Sequence, residues 1–314
     1  MRGNDSYEMA FADYTVKGNV FEYAIGFFAE SCYKLTAKKF VFGAKQGIMR
    51  QRKLKSFKKW FNDYVAGFYG DDKYVNANLK LKEQHSLRVC KEMLYLVKEL
   101  GLEKEQRLLA ETIALFHDVG RFKQFVRYKT YTDHKSIDHS LLGIKVLQET
   151  NVLDGLQRNE KQLIRKAIEY HGQKELPGRL DGDCLLFCQL IRDADKLDVY
   201  YVVARYCRQY RRNPAKFSLE LEFPDKPTYT PAVVEDILKG RRTSYSKLRV
   251  LNDMRLLQLG WVYDVNFAAT LKRIKKRGFL QEIFGFLPET KEIEKVKETI
   301  LSYVNLRIKK KRKL

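Results

Sequence analysis

Apolar positions recur at three- and four-residue spacing along most of the chain, and the two-residue alternation of a half-buried strand is rare. This pattern predicts helices at roughly 19–42, 53–69, 75–100, 105–118, 139–149, 158–171, 183–207, 231–239, 243–260, 263–277 and 289–307. Breaker-rich stretches separate them: "FYGDDK" (68–73), "ELGLEKE" (99–105), "ELPGRLDGD" (175–183) and "EFPDKPTYTP" (222–231). The last holds three of the six prolines and reads as an extended piece or a small inserted lobe. The expected fold class is all-α. No internal repeat is visible. Residues 1–52 read as an addition in front of a core that begins near "SFKKWFNDYV" (56–65).

Several inward stripes carry polar groups. His85 shares a face with Val89, Met93, Leu96 and Leu100, His117 with Leu109 and Ile113, and His171 with Ile164, Ala167 and Ile168. Asp195 stands one turn after Ile191 and one before Val199. A buried imidazole or carboxylate without partners costs several kcal/mol, on the order of 2–7 for a neutral polar group and more for a charge. One such histidine is ordinarily satisfied by a backbone carbonyl. Three on inward faces, together with Asp118 and Asp195, call for a common partner, and a metal ion satisfies them at once. Imidazole with carboxylate suits Mn, Fe, Ni or Zn.

The stretches "LKEQHSLRVC" (81–90), "ALFHDVGRFKQF" (114–125), "DHSLLGIKVL" (138–147), "IEYHG" (168–172) and "LIRDADKLD" (190–198) follow one another in an order that resembles the HD-domain metal-dependent phosphohydrolase superfamily, and within it a bacterial branch. The resemblance is strong over about 80–205. It implies an all-α HD-domain bundle with N- and C-terminal helical extensions: a basic extension 1–52, a core 53–210, a helical region 211–306 and a basic tail 307–314. It implies one or two divalent transition-metal ions. His85, His117, Asp118 and Asp195 match the signature positions, with Asp193 as the rival for the last. His139 and His171 stand where several subfamilies add a second pair, so that Asp118 would bridge two ions. "YHGQ" replaces the His-His pair of the cyclic-dinucleotide enzymes, and no Gly-Tyr-Pro signature follows the doublet, which argues against that substrate.

The implied reaction is hydrolysis of a phosphate ester, of a nucleotide or related small phosphorylated molecule, by a metal-activated water. Asp118, Arg121 and Lys196 are the residues expected to act on substrate or water. Arg121, Lys123 and Lys196 are the candidate phosphate holders. The "RYKTYTDHKSID" stretch (127–138) is the expected pocket wall, Gly120 the expected end of the helix carrying the doublet, and His134 an exposed loop residue.

Charge adds a second possibility. The net charge of the 314-residue chain is +21, concentrated in an acid-free run from Ser31 to Trp60 and in "RIKKKRKL" (307–314). Such blocks attract nucleic acid or other polyanions weakly and without sequence preference, so a polyanion-binding protein that keeps the HD core as scaffold is the rival function. A third reading is a helical structural protein with satisfied core histidines. Five scattered cysteines, Cys32, Cys90, Cys184, Cys188 and Cys207, form no disulfide frame or zinc knuckle, and Cys184 and Cys188 read as buried thiols. With no run of 18 apolar residues and no signal-peptide order at the start, neither a membrane span nor export is expected, and a cytoplasmic location is.

Overall fold

A computed structural model describes residues 51–180, 182–212 and 223–310. The expected helix at 19–42, nearly all of the 1–52 extension and the second half of the basic tail lie outside the described residues. The described residues are all-α, with no strand among them. Along the chain they form α1 (Gln51–Ala66), α2 (Lys73–Glu99), α3 (Lys104–Phe116), α4 (Val119–Tyr128), α5 (His139–Glu149), α6 (Arg158–His171), α7 (Gly182–Arg212), α8 (Pro231–Leu238), α9 (Leu251–Gly260), α10 (Ala268–Lys276), α11 (Phe279–Phe284) and α12 (Lys291–Lys309).

Local chemistry sets the boundaries that matter for the site. Asp72 caps α2 by accepting from Val75 N. Asp138 accepts from Ser140 N and Leu141 N, so α5 starts at His139. Gln157 and Glu160 form a capping box at the head of α6, which ends at His171. α7 is 31 residues long, and Phe187, Ile191, Ala194, Leu197 and Tyr200 on it are fully buried. It is the central element, packed by α2, α3 and α6 on one side and by α10 and α11 on the other. The apolar core runs without a break from Leu54 to Val304, so the C-terminal helices share one core with the rest.

Three expectations change. First, α4 and α11 occupy stretches for which no helix is expected. His117 (φ −55, ψ −39) and Asp118 (φ −107, ψ 15) form a kink between α3 and α4, and Gly120 lies in the first turn of α4 instead of ending a helix. The glycine answers a packing need: a Cβ there would lie 2.2 Å from His139 O and 2.6 Å from Gly143 N, so α4 and α5 meet backbone to backbone. Second, α9 starts at Leu251 and not near 243, because the Asp253 carboxylate accepts from Arg249 N and Val250 N and also holds Thr230 of the proline-rich stretch. Third, Cys188 is buried as expected but Cys184 is only half-buried, and no disulfide occurs among the described residues.

Candidate metal centre

Five elements deliver six side chains to one place: α2 brings His85, the α3–α4 kink His117 and Asp118, α5 His139, α6 His171 and α7 Asp195. All four imidazoles are anchored by the nitrogen that points away. Nδ1 of His85 meets Asp198 Oδ2 at 2.7 Å, that of His117 meets Ala114 O at 2.8 Å, that of His139 meets Asp133 Oδ2 at 2.7 Å, and that of His171 meets Ile168 O at 2.7 Å. Carboxylate and carbonyl oxygens only accept, so each Nδ1 carries a proton, and in the neutral ring Nε2 is left with its lone pair. Those lone pairs face each other. His85 Nε2 is 3.2 Å from His117 Nε2, and His139 Nε2 is 3.1 Å from His171 Nε2. Facing lone pairs repel unless a proton or a cation lies between them.

Asp118 stands between the two pairs. Its Oδ2 is 3.5 Å from His85 Nε2 and 3.7 Å from His117 Nε2, while its Oδ1 is 3.5 Å from His139 Nε2 and 3.7 Å from His171 Nε2. Asp195 Oδ1 closes the first group at 3.2 Å from His85 Nε2. Ligand atoms about 2.0–2.2 Å from one tetrahedral ion are themselves roughly 3.3–3.6 Å apart, and these separations, from 3.1 to 3.7 Å, bracket that range. His85, His117 and Asp195, and likewise His117, Asp118 and His171, offer ligand atoms within 4.8 Å of one another.

Burial and charge act on these groups in opposite directions. Burial disfavours the charged form of His117 and pulls its pKa down to about 4, with Asp118 and Asp195 working against it. Burial, then the Arg121 charge, likewise lower His139 to about 4 against the pull of Asp133. For His85, burial and Lys82 are outweighed by the hydrogen bonds to Asp195 and Asp198, which raise it to about 9. Asp118 is held well below the usual carboxylate range: burial opposes ionisation, but Lys82 and His117 outweigh it. Asp195 is also lowered, its burial overcome by the His85 hydrogen bond. Both carboxylates are therefore ionised and the His117 and His139 rings neutral, the states a metal requires of its ligands, whereas His85 carries a second proton that an incoming ion would displace.

Comparison with family models matches the HD domain over residues 83–200. Those residues are an HD domain. They run from two residues before His85 on α2 to just past Asp195 on α7 and enclose all six converging side chains. HD domains are in general metal-dependent hydrolases acting on phosphate esters. No curated protein and no solved structure matches the chain.

The HD domain does not gather every residue singled out in the sequence. Asp193 points away from the cluster and accepts from Asn266 N at 3.0 Å, Asn266 Nδ2 at 2.8 Å, Phe267 N at 2.9 Å and Thr270 Oγ1 at 2.6 Å. Arg121 is buried, and its NH1 donates to Gln124 Oε1, Tyr131 O and Asp133 Oδ1, with Nε 3.4 Å from Asp118 Oδ1. Lys196 is buried against Asp264 at 2.9 Å. Lys123 sits on the surface against Glu149 at 3.2 Å, and His134 is exposed. The 127–138 stretch does reach the cluster, through Asp133 behind His139 and Tyr131 beside Lys82.

Four residues of the site were missed in the sequence. Lys82 lies 2.9 Å from Asp118 Oδ2, and Asp198 orients His85 while Arg88 grips its two oxygens at 2.6 and 2.9 Å. Lys82 and Arg88 lie one turn from His85, and Asp198 one turn from Asp195, so helical spacing could have found them. Asp133 lies in a 3₁₀ turn at Asp133–Lys135, where no periodicity points to it. Of the basic run, the described part lies on α1, where Lys58 pairs with Glu111 at 2.5 Å and Lys59 with Asp63 at 2.6 Å. No described helix is long and apolar enough to cross a membrane.

Proposed function

We propose that this protein is a phosphohydrolase whose HD domain holds two divalent transition-metal ions and cleaves a phosphate ester of a nucleotide or related small phosphorylated molecule. The observation that carries the reading is the division of Asp118: each carboxylate oxygen faces a different imidazole pair. His85, His117 and Asp195 with Asp118 Oδ2 would hold one ion, and His139 and His171 with Asp118 Oδ1 the other. Imidazole with carboxylate suits Mn, Fe, Ni or Zn. When bound, such ions lower the pKa of a coordinated water toward neutrality and offset charge on phosphoryl oxygens.

The remaining work belongs to the chain. Asp198 and Asp133 accept from His85 and His139 and so fix the tautomer that turns Nε2 inward. Arg88 and Arg121 balance those two carboxylates and hold them in place. Asp195, with its side chain 24% exposed, lies on the side from which water and substrate can enter, whereas the His117 ring is fully buried.

The test is metal analysis alongside a screen of nucleotides, dinucleotides and simple phosphomonoesters. The expected result is close to two ions per chain and turnover that chelator abolishes and Mn, Fe, Ni or Zn restores. Tight metal binding with no turnover across the screen would favour a binding protein on an HD scaffold, and no metal uptake would reject the site.

A further inference from the structure

We propose that Lys82 binds the substrate phosphate and tunes the site toward a doubly charged terminal phosphate over a diester; this rests on the two-ion reading above. Lys82 lies one turn before His85 on α2, and its Nζ is 2.9 Å from Asp118 Oδ2. The Tyr131 ring lies 5.2 Å from the same nitrogen, and Tyr131 is fixed by its hydroxyl donating to Asn78 O. The ammonium is thus held between the central carboxylate of the cluster and an aromatic wall. With three N–H donors it can keep Asp118 and still donate to a phosphate oxygen.

The other cations near the site have acidic or carbonyl partners outside the proposed ligands, although Arg121 Nε also lies 3.4 Å from Asp118 Oδ1. Arg121 serves Asp133 and Tyr131 O, Lys196 and Arg242 serve Asp264, and Arg88 serves Asp198. Lys82 makes its short contact, 2.9 Å, with a proposed ligand itself, whereas the shorter contacts of Arg121 go to Gln124, Tyr131 and Asp133. It is also on the open side: its side chain is 16% exposed and that of Asp195 24%, against 2% for Arg121. Asp133 is exposed as well, but it stands behind His139 on the Nδ1 side.

Charge accounting then distinguishes substrates. Arg88 offsets Asp198, and Arg121 offsets Asp133. Asp118, Asp195 and Lys82 remain. Two divalent cations would outweigh the two carboxylates by two charges, and Lys82 adds a third. A terminal phosphate, whose second pKa is about 6, brings two negative charges at neutral pH, and a diester brings one. The dianion neutralises more of the excess and offers Lys82 an additional charged oxygen.

The experiment titrates inorganic phosphate and dimethyl phosphate into Mn-loaded wild type, Lys82→Ala and Lys82→Arg by calorimetry, with metal content measured on the same preparations. Wild type should prefer inorganic phosphate. Lys82→Ala should weaken phosphate binding by roughly ten- to a hundredfold, the loss of one charge-assisted hydrogen bond, and affect dimethyl phosphate less. Lys82→Arg should recover most of the loss, and Mn content should be the same in all three. Unchanged phosphate affinity in a fully loaded Lys82→Ala protein would overturn the proposal while leaving the two-ion reading intact. Loss of Mn in step with loss of phosphate would overturn it too, since Lys82 would then only support Asp118. A wild type that takes up no Mn would reject both at once.

Discussion

Asp193 and Asp195 are two residues apart on α7 and face in opposite directions, as a helix requires. Asp193 belongs to the seam with the C-terminal helices. Two backbone N–H groups, the Asn266 amide and the Thr270 hydroxyl donate to it. Next to it, Asp264 is buried with Lys196 at 2.9 Å, Arg242 at 2.7 Å and Arg192 at 3.5 Å. Asp195 faces the opposite problem: inward imidazole nitrogens converge on its neighbourhood, and two pairs of them meet nitrogen to nitrogen at 3.1 and 3.2 Å. Both regions bury ionisable groups: Asp193 and Asp264 in one, and Asp118 and the His117 ring in the other. Burial of charge alone therefore does not distinguish a functional site from a structural one. What distinguishes them is whether the chain's own donors and acceptors match, as they do around Asp193, or whether like faces like, as at the Nε2 pairs.

The contrast can be broken most sharply at Asp118. Asp118→Ala should abolish phosphoester turnover and lower total metal content, because one side chain serves both ions; metal analysis beside kinetics reads both. His139→Ala touches only the second pair and should leave about one ion per chain while turnover falls by an amount equivalent to several kcal/mol in the barrier. Full activity in that variant would make the site mononuclear. On the structural side, Asp264→Ala should destabilise the fold by about 3–5 kcal/mol, since three cations would lose their shared carboxylate. Denaturant unfolding measures the loss, and any protein that remains folded should keep its metal content. Asp198→Asn leaves every ligand in place but removes the charge that orients His85, so metal affinity should drop roughly ten- to a hundredfold with little change in unfolding midpoint; an unchanged affinity would place Asp198 on the structural side of the comparison. The smallest effect is expected at Lys123→Ala, whose exposed pair with Glu149 should be worth less than about 1 kcal/mol and whose loss should alter neither metal binding nor turnover.

The sequence by itself determined the all-α class and most of the helices, and it named candidate ligands. α5 and α6 match the expected 139–149 and 158–171 in full, because a cap residue stands at each start and the apolar stripe is uninterrupted. His85, His117, His171 and Asp195 could be selected because each lies on an apolar face, while His139 follows from the family resemblance; Asp195 points into the cluster and Asp193 away from it. Tertiary structure decided what depends on distance across the chain. The backbone contact between α4 and α5 accounts for Gly120, which a one-dimensional pattern reads as a stop. Arg121, adjacent to the doublet in sequence, is turned inward onto Asp133 and Tyr131, and Lys196 is claimed by Asp264, which lies far along the chain in the C-terminal region. Periodicity reports which face a residue occupies, since that follows from helix geometry alone. Which partner it meets there depends on how separate helices pack, and no local pattern encodes that.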